Sequence, residues 1–119
     1  MTVVVTAVFY PKPGKKQELA QAMQRGIAAV HEEKGCELYA IHDAEDGTIT
    51  MLEKWTTAED LDAHGAGEPV QTLNADIAEL IEKPTLVTRM TPIPGARRPR
   101  DSSEPFRSAF PLTAEIAAR

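Results

Sequence analysis

The stretch Ile49–His64, ITMLEKWTTAEDLDAH, predicts a strand, a turn and a short helix in direct succession. Side chains alternate across a strand, so one face of this strand carries every second residue: Ile49, Met51, Glu53 and Trp55. Thr57 stands where an N-cap residue belongs, and acidic residues follow it in the first helical turn, where the helix dipole favours negative charge. We therefore expect Trp55, the only tryptophan, to meet Glu53 and His64 at one end of a sheet.

Hydrophobic patterns before this stretch predict two strands and one helix. The β-branched run Val3–Tyr10 predicts a strand that is buried on both faces. Apolar residues at helical spacing predict an amphipathic helix over Lys15–Lys34. The second strand, Cys36–Asp43, is joined to the third by the turn Asp46-Gly47, which is a strong hairpin signal. Alternation along the second strand places four residues on one face: Cys36, Leu38, Ala40 and His42.

The chain after His64 predicts a further helix and a last strand. The run Gly65-Ala66-Gly67 breaks the short helix, and a third helix begins near Pro69, because proline suits a first helical position. Pro84 ends this helix, and Thr85–Thr91 is the fourth strand. The apolar stripe of the third helix consists of Val70, Leu73, Ile77, Leu80 and Ile81.

The order of elements is β-α-β-β-α-β, with the second helix divided in two. This order predicts an α+β, ferredoxin-like split β-α-β fold, in which a four-stranded antiparallel sheet is covered by helices on one face. A sheet that is apolar on both faces needs a second cover, and the chain has no more helices to supply it. We therefore expect a homodimer whose two sheets face each other.

Composition narrows the class of protein. Residues 1–91 hold 8 Lys/Arg against 15 Asp/Glu, and this acidic balance argues against nucleic acid as a partner. The single cysteine, Cys36, permits no internal disulfide. The N-terminus has no basic region of the kind that opens a signal peptide, and no apolar run approaches the ~20 residues that span a bilayer. The expected location is the cytoplasm, without a membrane partner.

The last part of the chain differs in composition from the rest. We divide the protein into a ferredoxin-like domain over residues 1–91 and a Pro/Arg-rich extension over 92–119, which carries 5 Arg against 3 acidic residues. Its charge is opposite to that of the domain, which favours docking on an acidic surface. We expect this extension to reach the partner subunit and to pack three apolar side chains there: Phe106, Phe110 and Leu112.

Several short motifs, in the right order, resemble the antibiotic biosynthesis monooxygenase family, whose members include quinol-monooxygenase-like dimeric α+β barrel proteins. The motifs are Lys12-Pro13-Gly14-Lys15, Glu33-Lys34-Gly35-Cys36 with Tyr39, Glu53-Lys54-Trp55, and the helix that ends in His64. The resemblance covers residues 3–91. The family often has a second histidine after the first, and Glu68-Pro69-Val70 stands at that place here.

The resemblance implies a monooxygenase that needs no cofactor, neither a metal nor a flavin. The implied substrate is a small electron-rich aromatic, a quinol, phenol or anthrone, which loses a proton and then donates an electron to O₂. His64 is the candidate base, Trp55 stacks on the substrate, and Glu53 orients His64 or accepts a proton. The candidate substrate-binding residues are Tyr39, Arg89 and Met51.

Each of these residues also has a purely structural interpretation. Trp55 alone can fill the core at a strand end, and a helix-terminal histidine such as His64 often caps the helix. Glu53 can form a structural ion pair with Lys54 or Arg89, and pairing with an acid is the default for an arginine on a strand. His31 and His42 fit ordinary surface or interface positions, and Cys36 fits a small core position.

No metal site is predicted, because the three histidines are far apart in sequence and no Cys/His cluster exists. No residue stands out as an axial ligand for haem, which some relatives of this fold bind. The alternative function, from a different class, is a non-catalytic dimer that binds a hydrophobic small molecule or a protein partner. The two hypotheses share one fold, so the fold alone does not separate them.

Overall fold

The computed structural model describes residues 2–95 and contains four strands and three helices. They are β1 (Val3–Pro11), α1 (Lys16–His31), β2 (Cys36–Asp43), β3 (Ile49–Trp55), α2 (Ala58–Ala66), α3 (Glu68–Ile77) and β4 (Ile81–Met90). All strand pairs are antiparallel, and the strands form one sheet in the order β2-β3-β1-β4. This is a ferredoxin-like α+β arrangement, and it confirms the predicted fold class.

The core lies between one face of the sheet and the helices. Burial alternates along β1 because only every second side chain points to that face. The register pairs Val3 with Trp55 and Val5 with Glu53, so the buried residues of β1 and β3 share one face. From the helices, the fully or nearly fully buried side chains that pack on this face include Leu19, Met23, Val30, Leu61, Leu73 and Ile77.

The turn before β3 and the helix cap after it both form as the sequence predicts. The hydroxyl of Thr57 accepts a hydrogen bond from the Asp60 amide at 3.0 Å, so Thr57 is the N-cap of α2. In the β2–β3 turn, Gly47 has φ +93°, and Oδ1 of Asp46 accepts a hydrogen bond from the Thr48 amide at 3.0 Å. These two local structures set the direction in which the chain enters and leaves β3.

The boundaries of three predicted elements are wrong. The last helix ends at Ile77, and the strand β4 begins at Ile81, so Pro84 lies within the strand and does not end a helix. β4 is an edge strand, where the missing amide hydrogen of a proline is tolerated, and irregular pairing with β1 surrounds this point. The first helix ends at His31, one turn earlier than expected, and Glu33 therefore lies in the link to β2.

A bulge at the start of β2 corrects the predicted face of Cys36. Cys36 pairs with Trp55, whereas Leu38 pairs with Lys54, so one extra residue separates them and they lie on opposite faces. Cys36 packs against the core, and Leu38 lies on the other face with His42. Tyr39 pairs with Glu53, and it is buried on the helix-covered face.

The other face of the sheet has no cover within residues 2–95. Alternate residues of β1 there are only half-buried, whereas the sequence predicted burial of this strand on both faces. Leu38, Leu86 and Met90 are exposed on this face. No helix among the described residues is long and apolar enough to cross a membrane. The predicted docking of Phe106, Phe110 and Leu112 falls on residues outside the described part of the chain.

Candidate functional site

Trp55 and His64 pack against each other at one end of the sheet, on the helix-covered side. Trp55 is the last residue of β3, and His64 lies in the last turn of α2. Their ring centroids are 4.7 Å apart and the ring planes are inclined by 31°. The side chains are 0% and 5% exposed, so the contact is almost completely shielded from solvent. The strand–turn–helix sequence therefore brings these two predicted site residues together.

Glu33 pairs with Nδ1 of His64, a role that the sequence did not predict for it. Oε1 of Glu33 lies 2.6 Å from Nδ1 of His64. The predicted helix Lys15–Lys34 included Glu33, but α1 ends at His31, and Glu33 lies in the link after it with only 20% of its side chain exposed. The one signal that pointed here was the motif Glu33-Lys34-Gly35-Cys36, since it places an acid just before a tight turn.

Glu53 belongs to the same cluster but does not orient His64. Its Oε1 accepts a hydrogen bond from Nε1 of Trp55 at 3.0 Å, in a buried position. It forms no ion pair with Lys54 or Arg89, because Lys54 lies 3.6 Å from Glu37 and Arg89 pairs with Asp62. Burial raises the pKa of the Glu53 carboxyl, and the nearby Glu33 adds to the increase, while the Trp55 hydrogen bond and then His64 oppose it.

Tyr39 places its ring edge-on to His64, with the ring centroids 5.3 Å apart and the planes at 71°. Burial, followed by the charges of Glu53 and Glu33, raises the pKa of the Tyr39 hydroxyl well above its ordinary value. The hydroxyl is therefore a proton donor and not a base. Met51 is fully buried on the same sheet face, two residues before Glu53.

Arg89 lies apart from this cluster. Its side chain is half-exposed on β4, and Nη1 donates a hydrogen bond to Oδ1 of Asp62 at 2.9 Å. This ion pair is the structural interpretation of Arg89, the pairing of a strand arginine with an acid. Arg89 is thus occupied at the surface between β4 and α2.

Two clefts lie near the sheet. One cleft, of about 470 Å³, is formed by the first half of α1 together with Ile41 and Ile49. Ile49 is the first residue of β3, so at the usual rise of a strand it lies roughly 20 Å from Trp55 at the other end. The other, of about 390 Å³, lies along β2 and is lined by residues that include His31, Cys36 and Tyr39. Only this second cleft shares a residue, Tyr39, with the Trp55–His64 cluster.

The acidic and histidine side chains of the cluster do not form a cage for a metal ion. Throughout residues 2–95, no group of three or more His, Cys, Asp or Glu side chains has an arrangement suited to metal binding. Within the same range, every buried side-chain nitrogen and oxygen has a hydrogen-bond partner. The site is therefore a compact set of satisfied polar groups around two stacked rings.

Fold and site together define a small ferredoxin-like protein with a buried histidine against a tryptophan. Residues 2–76 match the family described as antibiotic biosynthesis monooxygenase, and the chain belongs to this family. A relative from Mycobacterium tuberculosis, named "Putative monooxygenase Rv0793", is 27% identical over 92 residues, which are 76% of this chain and 91% of the relative.

Solved structures of relatives share the fold. The structure of Rv0793 from Mycobacterium tuberculosis has a TM-score of 0.74 at 26% identity, and the match covers 82% of this chain and 100% of that one. A conserved protein from Methanosarcina mazei Go1 has a TM-score of 0.71 at 25% identity, over 76% of this chain and 91% of its own. Both matches cover at least three quarters of this chain.

Proposed function

We propose that this protein is a monooxygenase that oxidises a small aromatic compound, a quinol, phenol or anthrone, with O₂ and without a metal or flavin. The observation that carries the proposal is the stack of His64 on Trp55 in a buried position, in a chain of this family. Imidazole is suited to take a proton near neutral pH, and a tryptophan face suits an aromatic substrate.

In this mechanism the protein has three tasks: orienting the aromatic ring, removing a proton and shielding the resulting anion from water. His64 takes the proton, and the deprotonated substrate donates an electron to O₂. The protonated Tyr39 hydroxyl is suited to donate a hydrogen bond to the substrate oxygen. The cleft along β2, which Tyr39 helps to line, is the candidate space for the substrate.

We further propose that the protein works as a homodimer in which the two uncovered sheet faces meet. The support for this is the set of apolar residues that remain exposed on that face, Leu38, Leu86 and Met90. These residues lie on the two edge strands, β2 and β4, and exposed apolar side chains spread over one face of a sheet are typical of protein interfaces. A dimer of this type supplies the second cover that residues 2–95 lack.

A second function, binding without catalysis, is favoured by one specific observation. The rings of Trp55 and His64 fill the space between sheet and helices themselves, and the larger cleft lies at the other end of β3. A site closed by its own side chains suits a structural cluster. The two functions differ in whether substrate enters beside His64, and oxygen uptake distinguishes them.

The test is oxygen uptake by the purified protein with a panel of quinols and anthrones. If His64 is the base, His64→Gln, which keeps a similar volume, is expected to lower the rate at least ~10²-fold, the usual size of a general-base contribution. The matched control is His42→Gln, because His42 is exposed, lies on the opposite face of the sheet and does not line the cleft along β2. Full activity of His64→Gln would remove His64 from the mechanism, and no uptake by the wild type would favour the binding function.

A further inference from the structure

We propose that Glu33 is a positioning residue, whose carboxylate holds His64 with a proton on Nδ1 and leaves Nε2 as the atom that accepts a proton from the substrate. This inference rests on the proposed function for the role of Nε2, but its structural part, the tautomer of His64, can be tested without any substrate. Glu33 itself does not need to touch the substrate, because it acts through the imidazole.

The contact is short and largely shielded from water. Oε1 of Glu33 lies 2.6 Å from Nδ1 of His64, and the two side chains are 20% and 5% exposed. An ionised carboxylate only accepts hydrogen bonds, so a bond of this length requires a proton on Nδ1. No hydrogen bond among residues 2–95 involves Nε2 of His64, and because no fully buried side-chain nitrogen in that range lacks a partner, Nε2 is not completely shielded. It is therefore the imidazole nitrogen that remains for a ligand.

Two aromatic contacts fix the plane of the His64 imidazole. Within that plane, the contact with Glu33 determines which of the two ring nitrogens points toward Glu33. Trp55 lies against the ring at 4.7 Å between centroids, and Tyr39 meets it edge-on at 5.3 Å. Packing alone does not distinguish the two ring nitrogens, because a ring flip about Cβ–Cγ keeps much the same shape. The Glu33 carboxylate does distinguish them, because it binds the nitrogen that carries hydrogen.

The proton transfer that this arrangement serves is simple to balance. The substrate O–H or activated C–H bond breaks, its proton moves to Nε2, and its electron pair stays on the substrate anion. The imidazole becomes an imidazolium, and the negative Glu33 stabilises this positive charge at 2.6 Å. The proton on Nδ1 stays in place, so Glu33 remains a carboxylate throughout. The anion then reacts with O₂ as in the proposed function.

The decisive experiment is ¹⁵N NMR of the imidazole nitrogens, with His64 assigned from the spectrum of His64→Gln. At a pH where His64 is neutral, the wild type is expected to be the Nδ1–H tautomer. Glu33→Gln is expected to shift His64 toward a mixture of tautomers, because the glutamine amide can donate as well as accept. Glu33→Asp keeps the carboxylate and is expected to restore part of the Nδ1–H population.

Glu32→Gln is the matched control, since it removes the same charge from the adjacent residue, which is exposed. It is expected to leave the tautomer unchanged. A wild-type His64 in the Nε2–H form, or a Glu33→Gln variant that keeps the Nδ1–H form fully, would overturn the inference. Circular dichroism establishes that each variant is folded before its spectrum is interpreted.

Measuring oxygen uptake by the same variants separates this inference from the proposed function. If oxygen uptake is found, Glu33→Gln is expected to lower kcat at least ~10-fold with little change in KM, because a misoriented base affects the proton transfer more than binding. A tautomer shift in a protein without oxygenase activity would retain the positioning by Glu33 and reject the oxygenase. An unchanged tautomer would reject the positioning whatever the activity.

Discussion

At the scale of single residues, the unusual feature is a set of ionisable side chains inside an otherwise apolar core. Glu53 and His64 are buried beside Trp55, and Glu33 is mostly covered. Burying such groups is costly unless each has a partner. Here Trp55 donates to Glu53, and His64 pairs with Glu33, so both carboxylates are satisfied. The cluster therefore depends on each donor meeting one particular acceptor.

Glu53 makes the stability of the protein depend on pH. Its pKa is raised above the ordinary value of 4.5, mainly by burial, so the folded state keeps a proton that the unfolded state releases as pH rises past that value. Glu53 therefore favours folding less as pH rises from about 4.5 through the raised pKa. Glu53→Gln cannot ionise, and its melting temperature is expected to gain on that of the wild type between pH 4 and pH 7.

The measurement for Glu53→Gln is thermal unfolding followed by circular dichroism at several pH values, compared with wild type at each pH. Glu45→Gln is the control, because Glu45 is exposed in the β2–β3 turn. Its difference from the wild type is expected to vary little with pH. A Glu53→Gln difference that is equally flat would mean that Glu53 is ionised in the folded protein at the same pH as in the unfolded chain.

At the scale of elements, the link between α1 and β2 determines where Glu33 lies. The Gly35 carbonyl accepts a hydrogen bond from the Thr56 amide at 2.9 Å, which ties this link to the end of β3. Gly35 has φ +81°, a left-handed conformation that L side chains rarely adopt. A Cβ at this position would also lie 2.7 Å from Cβ of Asp60 in α2. The link is thus held against both β3 and α2.

Gly35→Ala is expected to lower the free energy of unfolding by at least about 1 kcal/mol, because it adds both backbone strain and a clash with Asp60. Gly26→Ala provides the opposite case. Gly26 lies within helix α1, and a Cβ there meets no atom within 4 Å. Alanine at that position is expected to stabilise the protein by about 0.5–1 kcal/mol.

Urea denaturation of the two alanine variants and the wild type measures both effects under one set of conditions. The critical result is whether each variant has a lower or a higher free energy of unfolding than the wild type. If Gly35→Ala unfolds at the same urea concentration as the wild type, the left-handed link is not needed for stability. In that case the contact of Glu33 with His64 must be maintained by the side chains alone.

At the scale of the whole molecule, the main feature is the sheet face that no other element of residues 2–95 covers. Leu86 and Val87 are neighbours on the edge strand β4 and are exposed to nearly the same extent, 56% and 57%. Leu86 pairs with Val8 on the uncovered face, whereas Val87 pairs with Ala7, whose side chain is in the core on the helix side. Substitutions at Leu86 and Val87 therefore test the two faces of the sheet separately, at positions of nearly equal exposure.

If the proposed homodimer forms through the uncovered face, Leu86→Glu is expected to weaken it at least ~10-fold in dissociation constant, because the dimer would bury a charge without a partner. Val87→Glu is expected to leave the dimer intact. Sedimentation of both variants and the wild type over micromolar concentrations gives the result. A wild type that is monomeric, or an equal effect of the two substitutions, would contradict this interface.

The sequence by itself determined the order of elements, the antiparallel sheet and the meeting of Trp55 with His64. These features follow from local rules, because alternation, an N-cap and a hairpin turn act over a few residues. The same rules failed at Pro84, since a proline ends a helix or lies in an edge strand depending on the position of the strand in the sheet. That position is a property of the whole sheet.

Only the tertiary structure decided how the polar groups of the site are paired. Glu33 and His64 are 31 residues apart, and their contact depends on where α1 ends and how the Gly35 link turns against β3. Glu53 was expected to orient His64 or to accept a proton, but its carboxylate accepts a hydrogen bond from the Trp55 indole nitrogen. A buried carboxylate takes whichever donor the packing brings within about 3 Å, and that choice is made between elements and not within them.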